Sequence, residues 1–99
     1  MAWNIYEAKF VAECPSDGEK IEYTTRIAAQ KLIRVEDIND FVRKIAKGYH
    51  EDIADKLFTR FGGMQCISAV HQGVKILTMR EAGENTVSGR EWAKEQLAS

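Results

Sequence analysis

The sequence predicts an α+β domain in the order strand, strand, helix, helix, strand, strand, with a short helix at the end. Three observations predict it. Two stretches near the start alternate apolar and polar residues and are separated by Pro15-Ser16-Asp17-Gly18, a turn-forming tetrad. Beyond Gly62-Gly63, two further strand-like stretches are separated by Gln72-Gly73. Between these pairs the apolar residues recur at helical spacing.

The first strand runs from Trp3 to Cys14: Tyr6, Ala8, Phe10, Ala12 and Cys14 share one face, and Glu7, Lys9 and Glu13 the other. The second, Lys20 to Ala28, turns Ile21, Tyr23 and Ile27 inward and Lys20, Glu22 and Arg26 outward. Residues Ala29 to Arg34 suit either a continued strand or a connector. Val35, Ile38, Phe41, Val42, Ile45 and Ala46 then mark a first helix, with Glu36 and Asp37 in its first turn and Lys44 and Lys47 in its last. Gly48 is the expected stop, since glycine can take the left-handed conformation past a last turn.

A second helix is predicted from about His50 to Phe61, with Ile53, Ala54, Leu57, Phe58 and Phe61 on one face. Met64 to His71 is apolar and reads as a strand covered on both sides, and Val74 to Arg80 completes the second hairpin. Residues 1–82 thus form one domain, and 83–99 a linker and tail helix. Ser88 and Glu91 have capping-box spacing for that helix, whose large apolar groups are Trp92 and Leu97; a neighbouring subunit is its expected dock.

Composition bounds the function. The 99 residues are 44% hydrophobic and 29% charged, ordinary for one globular core, and a net charge of −1 lacks the basic footprint of a nucleic-acid binder. No apolar run approaches the roughly 18–20 residues of a membrane span, and no secretory signal opens the chain. Cys14 and Cys66 are accordingly expected as reduced thiols in a cytoplasmic protein. Phosphate loops and dinucleotide fingerprints are absent, so no cofactor is expected. Cys14, His50, Cys66 and His71 have no close metal-ligand spacing, so no metal is expected either.

The densest ionisable cluster is Tyr49-His50-Glu51-Asp52, where the second helix begins. His50 and Glu51 read first as residues that suit the start of a helix, and second as a ligand contact. Cys14, on the apolar face of its strand, reads as a small buried hydrophobe or as a nucleophile. Glu36 reads as a helix-dipole charge or a ligand contact. Cys66 reads as structural and His71 as a surface residue beside a turn.

Cys14-Pro15 at the end of the first strand, Val35-Glu36 opening the first helix and His50-Glu51-Asp52 opening the second occur in the order found in a known family. From Phe10 to Arg80 the chain resembles tunnelling-fold (T-fold) subunits, in particular the unimodular nitrile reductases and amidinotransferases of deazaguanine biosynthesis. The resemblance implies an antiparallel sheet with two helices on one face, in a homo-oligomer with ligand sites between subunits. It implies Cys14 as the nucleophile, His50 beside the reacting centre and Glu51 as the carboxylate holding a purine-like or pterin-like heterocycle. By the same resemblance Glu36 contributes to substrate binding.

The chain departs from the reductases at three places. Ile21 stands where they carry an acidic proton donor, Glu36-Asp37-Ile38-Asn39-Asp40 replaces a lysine-bearing nicotinamide-phosphate motif, and His71-Gln72-Gly73 replaces an arginine-rich turn. The expectation is therefore a heterocycle-binding or heterocycle-transforming protein that is not an NADPH-dependent reductase. The alternative is a small non-catalytic module that meets a protein partner through its sheet edge or its C-terminal helix.

Overall fold

The computed structural model describes residues 3–81 and 90–98. Strands β1 (Asn4–Glu13), β2 (Lys20–Ala29), β3 (Met64–His71) and β4 (Val74–Glu81) form one antiparallel sheet in the order β1-β2-β3-β4. Helices α1 (Val35–Arg43) and α2 (His50–Phe61) connect β2 to β3, and α3 (Arg90–Ala98) follows β4. The predicted α+β order is the observed one.

Alternation and register together build the main core. Phe10 pairs with Tyr23 and Tyr23 with Ala69, while Thr25 pairs with Ala8 and Ile67. These rows face α1 and α2, where Ile38, Val42, Ile53, Ala54, Leu57 and Phe61 pack against Ile21, Tyr23, Ile27 and Ile67. Phe41 meets Phe61 edge-on at 5.5 Å between ring centroids, joining the two helices.

The first helix stops earlier than its periodicity predicts. It ends at Arg43, and Gly48 does not take a positive φ. The cause is a competing use of the backbone: Glu13 N–H donates to Ala46 O at 2.9 Å, and Gly48 N–H donates to Glu13 O at 3.1 Å. The connector thus extends the end of β1 by a parallel bridge between Glu13 and Lys47. A helix through Ala46 would leave those groups at the end of β1 without these partners.

Gly62-Gly63 breaks α2 as predicted. Gly63 has φ +70°, and a Cβ there would collide with the carbonyl oxygen of Ala28. This close approach lets β3 start directly beside β2, with Ala28 opposite Met64.

The tail helix was expected on a neighbouring subunit and instead docks on its own sheet, on the face away from α1 and α2. Ala93 and Leu97 are buried there with Ala28, Met64 and Cys66, flanked by Trp3 and Ile5. Arg26 holds it from the sheet: its Nη1 donates to the carbonyls of Gln96 and Leu97, each at 3.4 Å, and its Nε donates to Glu7 Oε1 at 2.7 Å. A cation on the last carbonyls of a helix is favoured by the dipole and fills acceptors with no intrahelical donor. The predicted linker over 83–89, its Ser88 cap and the Trp92 side chain lie outside the described residues. No helix among the described residues is long and apolar enough to cross a membrane.

Two substitutions test this architecture. Leu97→Ala should cost about 2–5 kcal/mol in urea unfolding, the usual loss for a fully buried leucine; a loss under about 0.5 kcal/mol would place α3 off the sheet. Gly63→Ala should cost more than the roughly 1 kcal/mol of a strained φ alone, because the Ala28 carbonyl must also move.

Candidate functional site

Helix α2 begins without a side-chain cap: Tyr49 is extended at φ −78°, ψ 151°, and makes no capping hydrogen bond. Its first residue is turned inward. His50 is 7% exposed, and its Nε2 shares a hydrogen bond with Thr78 Oγ1 of β4 at 2.9 Å. The ring lies 5.6 Å from that of Tyr23 and 6.4 Å from that of His71. Tyr23, in turn fully buried, stacks on Phe10 at 5.3 Å.

A polar seam therefore runs through the layer between α2 and the sheet. Tyr23 Oη, Thr25 Oγ1, His50 Nδ1 and His71 Nε2 are buried there without a hydrogen-bond partner among the described residues. Burial pushes the Tyr23 hydroxyl above its ordinary pKa, and the nearby Cys14 adds to the shift. Burial likewise holds His50 below its ordinary value; His71 and Arg80 push the same way, and Glu51 opposes them.

Of the residues predicted for a site, His50 lies on this seam beside Tyr23, and Cys14 belongs to the same core cluster. Cys14 is 7% exposed and belongs to the core, with its backbone closing the β1–β2 turn through Glu19 and Gly18. Glu51 points the other way, its side chain 69% exposed and paired with Arg80 Nη2 at 3.3 Å. Arg80 Nε also donates to Asp55 Oδ1 at 3.0 Å, so one β4 guanidinium grips two turns of α2. Glu36 stands apart at the start of α1, bonded to Arg34 Nη2 at 3.1 Å. Its carboxyl is held below the ordinary value by its own backbone N–H and by Arg34.

His71 was expected on the surface, but its ring lies edge-on to His50. Alternation carried that signal: His71 continues the Gln65, Ile67, Ala69 series that faces the helices. Thr78 and Arg80 were missed because nothing in an edge strand of mixed apolar and polar residues announces which of them a distant helix will meet. Cys66 is structural as read, buried at 2% exposure, with its thiol pushed up by burial. Among the described residues no group of three or more His, Cys, Asp or Glu side chains is placed to hold a metal ion.

The opposite face carries a hollow of about 200 Å³ beside α3, lined by Lys9, Thr24, Arg26, Ser68, Lys75 and neighbouring side chains. The seam and the α2 rim differ in character. The seam offers aromatic faces and buried polar atoms without partners, whereas the rim offers an exposed carboxylate over an edge strand. No family model, curated protein or solved structure matches the chain in comparisons with known proteins.

Tyr23→Phe tests the seam. Removing a buried hydroxyl that lacks a partner should leave stability within about 0.5 kcal/mol or raise it by up to about 1 kcal/mol. A loss above about 1 kcal/mol by urea denaturation would mean the hydroxyl is bonded in solution.

Proposed function

We propose that the protein is a T-fold-like homo-oligomer that binds a purine-like or pterin-like heterocycle at a subunit interface, with Glu51 as the anchoring carboxylate. The observation that carries this reading is the position of Glu51: exposed, on the first turn of α2, and directly over β4, an edge strand of the sheet. A second subunit adding its β1 to β4 would continue the antiparallel pattern and remove two edges at once. Its chain would then run beside Glu51.

The chemistry of the anchor supports the same reading. A carboxylate accepts paired N–H donors from an amidine-like ring edge through short, charge-assisted bonds. Glu51 also stands in the first turn of a helix and pairs with Arg80, both favourable surroundings for a carboxylate. Arg80 then acts as a lid charge, released as the ligand's donors replace it. Binding, rather than thioimide chemistry, is the proposed activity, because Cys14 is enclosed by its own core and cannot meet a ligand at the rim without rearrangement. His50 serves this site by fixing the turn that carries Glu51. Glu36, on the first turn of α1 and paired with Arg34, is not part of the site proposed here.

In the tail-helix form of the protein-partner reading, Ala93 and Leu97 are spent on the chain's own sheet, so a partner would meet another side of α3. The edge form keeps one, with Val74, Leu77 and Met79 exposed along β4.

Calorimetric titration with 7-cyano-7-deazaguanine, guanine and neopterin as probes tests the proposal. Binding by at least one probe is expected, and Glu51→Ala should weaken it at least about ten-fold, or about 1.4 kcal/mol. Unchanged affinity removes Glu51 from the site. Binding that survives dilution to monomer removes the interface.

A further inference from the structure

His50 is an unusual first residue for a helix that has no cap. Its ring is driven into the layer below, where one nitrogen is satisfied by Thr78 and the other by nothing among the described residues. His71 presents a second buried nitrogen without a partner, with its ring 6.4 Å away. Neutral imidazole tolerates this arrangement, because an unfilled lone pair costs less than an unpaired charge. Imidazolium does not, since its second N–H⁺ would be buried without an acceptor.

We propose that the first turn of α2 is a proton-operated latch: neutral His50 holds it on β4, and protonation of His50 releases it. The groups facing His50 leave the added charge without compensation. Tyr23 on β2 presents an aromatic ring, and His71 on β3 lies edge-on and disfavours the charged form of His50. Arg80 on β4 and the positive end of α2 are both repulsive to a cation. Cys14 belongs to the same core cluster as Tyr23 and is not among the groups that shift His50. Glu51 is the one acid that favours the cation electrostatically, and its exposed carboxylate is engaged by Arg80. Asp52, Asp55 and Asp17 are exposed, with Asp55 held by Arg80 and Asp17 by Gln72.

The direction of the pH effect follows. His50 lies below its ordinary 6.5 when folded, so the opened turn takes up the proton first as pH falls. The latch is fully closed above that value and weakens progressively below it, towards the depressed folded value. Opening carries Glu51 away from Arg80; that this would also discharge a ligand rests on the function proposed above, whereas the latch itself does not.

Hydrogen exchange on the protein without added ligand separates the two. Between about pH 7.5 and about pH 5, exchange corrected for intrinsic rates should accelerate at least about ten-fold over residues 49–54, with β1–β2 amides such as Ile27 changing far less. His50→Gln keeps a hydrogen-bonding amide but cannot titrate, and should abolish most of that response. The latch is overturned if residues 49–54 are insensitive to pH, if exchange rises equally throughout the sheet, or if the Gln variant responds like wild type. Should that variant not fold, the His50 ring resonance in wild type decides: titration at or above 6.5 with the α2 amides undisturbed also overturns it.

Discussion

The central strands of this sheet must be covered on both faces, and most of the structure follows from how that cover is supplied. β2 and β3 each pair on both sides, so their backbone groups are satisfied within the sheet and only their side chains need a home. Towards α1 and α2 they present Ile21, Tyr23, Ile27 and Ile67; towards α3 they present Ala28, Met64 and Cys66. Two unequal clusters result, and the smaller exists because Ala93 and Leu97 come back to it. Arg26 sets the position of that return, joining Glu7 on β1 to the end of α3 across the sheet surface.

The larger cluster is not uniformly apolar. Where α2 begins, Tyr23, Thr25, His50 and His71 bring polar atoms into the layer, and several lack partners there. Such groups forfeit desolvation energy that leucine or phenylalanine would not, so this end of the core is less stable than an apolar packing would be. The opposite end, around Leu57, Phe61 and Ile27, carries no such penalty and anchors the fold. Gln65 shows the contrast: equally buried, it donates to the carbonyls of Leu57 and Gly62 and so ties the end of α2 to β3. One end of α2 is thus pinned by a satisfied amide, and the other rests on a histidine whose charge state matters.

That asymmetry links the fold to the proposed function. Glu51 stands on the less secure turn, above a strand edge, with Arg80 binding it to the sheet from outside while His50 binds it from within. An exposed ion pair of this kind adds little to stability. Its value lies in orientation, since Arg80 fixes the carboxylate and can be exchanged for another donor. In the proposed function this turn carries the anchoring carboxylate, with Arg80 of β4 as its counter-ion and His50 as its support.

The residue order by itself determined the element sequence, both hairpin turns, the boundaries of α2 and the inward faces of β1 and β2, because these are local: period, turn chemistry and glycine conformations act over a few residues. It also brought Cys14, His50 and Glu51 into consideration by type and position. The tertiary structure decided what local rules cannot. Whether α1 ran on past Arg43 depended on the unpaired end of β1, which took the backbone of Ala46 and Gly48 instead. Whether α3 met another subunit or its own sheet depended on an apolar patch made from β2 and β3 together. The neighbouring His50 and Glu51 were sent to opposite sides of one helix turn, into the core and into solvent, because helical geometry separates adjacent side chains by about 100°. Only packing against β4 settled which of them went in.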